Sequence, residues 1–473
     1  MSLLVLKFGG TSVGSVERIR GSAEIVCKTA AKNRVAVVVS ALSGVTDLIL
    51  KTVSAARQGE DKQVAEQMQL LQERHKKVIA ELFKGPERKG VEDQVGAVLK
   101  QLHDVCAALL LLRSTTPQIM DAAAPMGEKM SAHIFAAVLR TMNTAGEFVD
   151  STRVLVTDDK FGDASPDIEA TAKKAHEVLT PLLKAGKVPV ITGFMGATTK
   201  GQPTTLGRGG SDSSATILGA ALGADEVWIY TDVDGVLTAD PRVCSDAKTL
   251  PAITFSEAIE LSYYGAKVIH HKAIHPTMDK GIPVWIKNSF RPEVAGTEIV
   301  AKVPRNGSAV KAVTVVKQAS LITLTTKREA SFAEIFGRLF LRLGHEHVDV
   351  LFSTQSSSEN SLGLVLREAD TDTVVKLMER TFRVEIQHGV VNPIQVQRDI
   401  AVVCVLGESM RGTRGILGRL FSAVANANQS VIAVAQGASE LNICFAVNAS
   451  SADDVVKAVH GEFLSQHAAR AEA

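Results

Sequence analysis

Aromatic residues are scarce: Phe, Trp and Tyr make up 4% of a chain of 473 residues in which 45% are hydrophobic. The cores must therefore be aliphatic. Charge of one sign is also lacking, since 52 Lys and Arg stand against 51 Asp and Glu, a net charge of +1. Such a balance gives no electrostatic reason for nucleic acid or an anionic membrane to bind. Cysteine is sparse, at positions 27, 106, 244, 404 and 444, with no C-x-x-C pair. An odd number without a framework points to reduced thiols and a cytoplasmic setting. No apolar run approaches the roughly 20 residues of a membrane helix. The chain opens on a strand-like run, so no signal peptide is expected.

That opening run is Leu3-Leu4-Val5-Leu6, and it stops at Lys7-Phe8-Gly9-Gly10-Thr11-Ser12. Aliphatic residues bounded by turn residues predict a buried strand of a parallel sheet. Gly9 and Gly10 let backbone N–H groups approach an anion closely. Thr11 and Ser12 are placed to cap a helix from about Val16. The result is a phosphate cradle with Lys7 as its cation. It is not a Walker loop, because the spacing G-x-x-x-x-G-K-[ST] is absent.

A second glycine-rich loop, Leu206-Gly207-Arg208-Gly209-Gly210-Ser211-Asp212, precedes an apolar helical stretch. Arg208 suits bidentate capture of a carboxylate. Asp212 suits an ammonium group or a magnesium ion, or else caps the helix together with Ser211. A turn has no need of the arginine.

With Thr231-Asp-Val-Asp-Gly235, Thr238-Ala-Asp-Pro-Arg242 and Gly265-Ala-Lys-Val268 following in order, these motifs resemble the aspartate kinases of the amino-acid kinase superfamily. The likeness covers roughly the first 300 residues. It implies transfer of the ATP γ-phosphoryl group, with Mg2+, to the β-carboxylate of L-aspartate, giving 4-phospho-L-aspartate for lysine, threonine and methionine synthesis. It implies Lys7 and Asp212 as catalytic residues. Around the substrate it implies Thr46, Glu128, Arg208 and Ser211, with Arg208 on the α-carboxylate and Glu128 on the ammonium. Around ATP it implies Lys7, Gly9, Gly10, Ser12, Thr231, Asp232, Leu237, Arg242, Lys267 and Val268. No resident metal site is implied.

Taken alone, Glu128 at a helix start reads as complementing the helix dipole. Leu237 departs from the resemblance, because many relatives carry tyrosine there, and His270-His271 stands where relatives show His-Pro. His271 and His275, four apart, would share a helix face as metal ligands, with no third ligand evident. Two other readings stay open. A related kinase acting on glutamate or N-acetylglutamate would share the glycine loops, but an N-acetylated substrate carries no charge for Glu128. A non-catalytic amino-acid sensor would have no reason to keep Lys7, Arg208 and Asp212.

The expected fold is α/β over 1–295, a mostly parallel sheet covered by helices. Lys7, Ser40, Gly193 and Thr231 end its strands, where ligands gather, and 60–115 reads as a helical insertion. After a linker at 290–310, two ferredoxin-like α+β units resembling ACT domains follow, at 311–390 and 398–465. The run 309–317 is left open between them, since in relatives one unit is inserted into the other. The loop Met410–Gly415 is glycine-rich and effector-like, whereas 325–331 has no glycine. The resemblance implies a lysine or threonine effector. Exposed sheet edges imply a homo-oligomer.

Overall fold

The computed structural model describes residues 1–265, 269–304, 308–327, 331–346, 348–356 and 358–465. The chain divides into two units. The first comprises Met1–Val236, Pro251–Phe255 and Val268–Val303, and the second Leu237–Leu250, Ser256–Lys267 and Pro304–Ala473. Residues 237–250 and 256–265, read from sequence within the 1–295 segment, thus pack with the second unit.

The first unit is organised by an eight-stranded sheet. Its strand order is Gly146–Val149, Val188–Thr192, Arg34–Val39, Leu3–Phe8, Glu226–Thr231, Val284–Asn288, Thr297–Val300, Ala252–Thr254. Only the pairing of Val284–Asn288 with Thr297–Val300 is antiparallel. Leu3–Phe8 is buried along its whole length, as a parallel strand covered on both faces must be. Its register sets Lys7 between Val38 and Ile229 at the carboxyl ends of the two neighbouring strands.

The helix after this strand is Val16–Ala30, and its cap is Ser15, whose Oγ accepts from Arg18 N. Thr11 and Ser12 do not cap it, against the sequence expectation. Gly10–Val13 closes a 3₁₀ turn of its own. Ser12 is buried there, its Oγ 2.8 Å from Ser289 Oγ and its carbonyl accepting from Ser22 Oγ.

The insertion consists of Asp61–Leu82 and Gly85–Leu112. The second of these has 28 residues and a stretch of mean hydropathy 1.6, so by length and composition it could cross a membrane. Its longest unbroken apolar run is still far short of a span, because Lys100 and Asp104 interrupt it. Val91, Val95, Val98, Leu102, Cys106 and Leu109 line one side of this helix and belong to the core of the first unit, the stripe of an amphipathic helix.

The second unit is built on one six-stranded antiparallel sheet. Its order is Val350–Ser356, Ser361–Arg367, Ala312–Thr325, Gln395–Leu406, Asn442–Asn448, Ala433–Gln436. Two helix pairs cover it, Phe332–His345 with Thr371–Thr381 and Ile416–Asn426 with Ala452–Leu464, each over its own aliphatic cluster. The central strand Ala312–Thr325 serves both halves. Ala312–Val316 pairs with Val402–Leu406, and Ala319–Thr325 pairs with Ser361–Arg367, with a register shift between Val316 and Ala319. The start of the open run 309–317 is thus in the second ferredoxin-like half, and the same strand continues into the first.

The segment Leu237–Leu250 is held inside this unit. Val313 N donates to Thr238 O at 2.8 Å, and Thr238 Oγ1 lies 3.0 Å from the Nε2 of buried His460. His460 Nδ1 faces Asp246 at 3.5 Å. Ala239 and Cys244 enter the core cluster beside Val455 and Val459. All five cysteines are free thiols, including Cys404 and Cys444, opposed across two strands with their sulfurs 3.0 Å apart.

Candidate active site

At the carboxyl ends of the first-unit strands, Lys7, Ser40, Thr46, Glu128, Phe194, Gly207–Gly210, Arg208, Ser211 and Asp212 line one cavity of about 290 Å3. Both catalytic candidates and all four substrate candidates therefore converge. The size suits a small molecule rather than a drug-sized one.

Lys7 is held by its strand at the floor of this cavity. Its Nζ lies 2.6 Å from Asp212 Oδ1, with both side chains largely buried. Asp212 sits in the first turn of the helix Gly210–Leu222, where a carboxylate is favoured by the dipole. At that separation the contact is a charge-assisted ion pair. The glycines that follow Lys7 matter for space. A Cβ on Gly9 would come 3.2 Å from Lys7 Nζ, and one on Gly10 would come 3.1 Å from Ala41 O.

Glu128 opens the helix Met126–Thr141 and is buried at 4% exposure. Its Oε2 has no hydrogen-bond partner. Burial pushes the carboxyl up to about 7, opposed by backbone hydrogen bonds with Ala41 and at its own position. Dipole complementation alone does not explain a side chain turned inward to a cavity with an unpaired oxygen, since burying a carboxylate without a partner is costly. Arg208 is exposed and forms no ion pair among the described residues. The site thus offers an unpaired cation and a carboxyl with one unpaired oxygen across one small cavity.

The Arg208 loop depends on strict steric rules. Gly207 and Gly209 both have φ of +70°. Added Cβ atoms would meet Asp163 Oδ1 at 2.5 Å and His270 Cβ at 2.4 Å respectively. Ser211 packs over Gly193, where a Cβ would lie 2.7 Å from Ser211 Oγ. Phe194, which sequence reasoning missed, holds φ of +73°. For a bulky residue that is a strained conformation, of the kind that gathers at functional sites. It is pinned by Phe194 N donating to Ser214 Oγ and by Phe194 O accepting from Leu206 N. No sequence signal marks it beyond its place after Gly193.

Of the nucleotide candidates, Gly9, Gly10 and Ser12 follow Lys7, and Thr231 and Asp232 end the adjacent strand, where Thr231 O accepts from Ser289 N at 2.9 Å. Leu237 and Arg242 lie in the second unit. Leu237 bridges Thr249, and Arg242 is spread over Asp240 at 2.6 Å with a mostly exposed side chain. Lys267 and Val268 lie outside the described residues. His271 falls in a 3₁₀ turn and His275 begins the next short helix, so they do not share a helix face. Among the described residues no group of three His, Cys, Asp or Glu is placed to hold a metal ion.

Comparison with known proteins shows the family. The family profile described as "Amino acid kinase family" matches residues 2–288, and an "ACT domain" profile matches 403–463. Lysine-sensitive aspartokinase 3 of Escherichia coli is 32% identical over 98% of this chain and 99% of its own length. A bifunctional aspartokinase/homoserine dehydrogenase of Haemophilus influenzae is 31% identical over 96% of this chain but 56% of its own length. The chain thus spans about half the length of the bifunctional curated relatives it matches, including 50% of one from Arabidopsis thaliana. Among solved structures, E. coli aspartokinase III with aspartate and ADP (R-state) is 30% identical, with a TM-score of 0.82 over 97% of this chain and 99% of that one. The same enzyme with lysine and aspartate (T-state) gives a TM-score of 0.79 at 31% identity, over 98% of this chain and 100% of that one.

Proposed function

The chain belongs to the amino acid kinase family and, within it, to the aspartokinases, and from that premise we propose that it transfers the γ-phosphoryl group of ATP to the β-carboxylate of L-aspartate. The observation that carries this reading is the cavity with an unpaired guanidinium, Arg208, and a buried carboxyl with one unpaired oxygen, Glu128, beside the Lys7–Asp212 pair. A zwitterionic amino acid needs both partners. Arg208 takes the α-carboxylate as a planar fork, Glu128 the ammonium, and Thr46 and Ser211 line the remaining wall. The β-carboxylate then faces Lys7. Its oxygen bonds to the γ-phosphorus as the bond to the bridging oxygen of ADP breaks, and no proton need move because the nucleophile is already ionised. Lys7 stabilises charge spread over the transferring group. Gly9, Gly10, Ser12, Thr231 and Asp232 are the proposed first-unit nucleotide contacts. Leu237, Arg242, Lys267 and Val268 keep that role by resemblance.

ATP would arrive with a divalent cation, Mg2+ by our reading, which neutralises phosphate charge. Magnesium is usually held by one or two carboxylates and the phosphates themselves. Asp212, whose carboxylate lies in the cavity at the start of its helix, fits such a cation borne by the nucleotide.

The second unit is proposed to sense lysine, the ligand named for the E. coli T-state structure, or threonine. Its outer strands Val350–Ser356 and Ala433–Gln436 end the sheet and would pair between subunits of a homo-oligomer. A hydroxamate assay with aspartate, glutamate and N-acetylglutamate, repeated with lysine, threonine or methionine, tests the reading. Turnover is expected to be best with aspartate, and lysine or threonine to lower it while raising the melting temperature. Best turnover on either other substrate refutes the assignment.

Glu128 adds a pH dependence. Its folded-state value of about 7 lies above the ordinary 4.5, so the folded protein holds this proton more tightly than the unfolded chain. Stability from this group is present at low pH and is lost as pH rises from about 4.5 through 7. Substrate binding runs the other way, because the ammonium needs the ionised form. With aspartate, kcat/KM should rise about tenfold between about pH 6 and 8. Glu128→Gln should flatten that limb, and a limb that persists in the variant belongs to another group.

A further inference from the structure

We propose that Asp121 is a positioning residue that sets the separation of the two substrate-facing groups, Glu128 and Arg208. Asp121 lies in the short helix Pro117–Ala123, at 2% exposure, and has no place in the cavity lining. One carboxylate oxygen, Oδ2, accepts from Gly162 N at 2.8 Å and from Thr205 N at 2.9 Å. The other, Oδ1, accepts from Thr205 Oγ1 at 2.7 Å. Among the described residues it forms no ion pair.

A buried carboxylate has only acceptors, so it is stable only if donors surround it. Here every donor comes from two segments distant in sequence. Thr205 ends the strand Pro203–Thr205 and stands three residues before Arg208. Gly162 precedes Asp163, whose carboxylate takes Lys272 Nζ at 2.6 Å and packs against Gly207. On its other side, the chain runs from Asp121 directly into the helix that Glu128 opens. One carboxylate thus clamps the root of the Arg208 loop to the approach of Glu128. The distance between a guanidinium and a carboxyl is what recognises an α-amino acid by both its charges, so Asp121 governs affinity and selectivity without touching substrate. The inference rests on Glu128 and Arg208 as substrate contacts.

Steady-state kinetics of the full chain decide it. Asp121→Ala should raise KM for aspartate about tenfold or more, with KM for ATP within about twofold. It should also reduce discrimination against aspartate α-amide, which lacks the α-carboxylate charge. Asp121→Asn should restore KM to within about threefold: its amide oxygen takes both N–H donors, and its NH2 donates to Thr205 Oγ1. Thr205→Val, which removes one bond of the three, should give a rise of a few-fold and covers the case in which Asp121→Ala does not fold. Equal rises in both KM values, an Asn variant as impaired as the Ala variant, or an unchanged KM for aspartate in Thr205→Val would each overturn the proposal. Arg208→Ala separates the two levels. If it leaves KM for aspartate unchanged, the substrate reading itself fails. If it raises KM while Asp121→Ala does not, the clamp alone is wrong.

Discussion

Replacement of Lys7 by alanine lowers kcat by roughly 10²–10³-fold, the loss typical of one preorganised charge or donor aimed at a transition state. The strand supplies the preorganisation. Lys7 is buried at 8% exposure, with its backbone fixed by parallel partners on both sides and its Nζ by Asp212. It therefore costs little to reorganise when the phosphoryl group moves. Asp212 loses its counter-charge in the variant, yet it remains in the first turn of Gly210–Leu222, where the helix dipole favours it. The melting temperature should drop by only a few degrees. Adding Asp212→Asn should recover that stability and leave turnover low. Near-normal turnover in Lys7→Ala would remove Lys7 from the chemistry and leave the charge stabilisation to other groups of the site.

The second large effect is at Arg208. Arg208→Lys keeps the charge and loses the fork, and KM for aspartate should rise roughly 10- to 100-fold, the worth of hydrogen bonds to a charged group. KM for ATP should stay near that of the parent. The flanking glycines explain why lysine cannot compensate. With Gly207 and Gly209 both at φ of +70° and neighbours filling the space a Cβ would take, the loop has no slack with which to re-aim a shorter reach. Parallel rises for both substrates would give Arg208 a structural role instead.

How much of this was legible in the chain differs by element. Leu3–Phe8 and Lys7 were, because a buried parallel strand is a continuous apolar run and the glycines that follow it have a steric purpose. The Arg208 loop was, because an arginine between glycines has no conformational use. The ferredoxin-like pair was, from its repeated strand and helix order. The helix cap was misread because Ser12 and Ser15 are equally good capping residues, and only the 3₁₀ turn at Gly10–Val13 decides between them. Phe194 and Asp121 were invisible, since a strained φ and a three-bond clamp between remote loops leave no periodicity behind. Placing Leu237 and Arg242 with the second unit needed the tertiary packing of Thr238, Ala239 and Cys244.

That packing bears on how such a gene can be cut. The polypeptide leaves its first unit after Val236 and returns at Pro251, having spent the interval as core of the second. No single stop codon therefore frees an intact first unit. A deletion of everything beyond residue 304 would strand Ala239 and Cys244 without their aliphatic neighbours and Thr238 without Val313 and His460. Loss of whatever the second unit contributes would more readily come by substitution in place than by shedding that unit, because the two units are stitched together in the order of the chain.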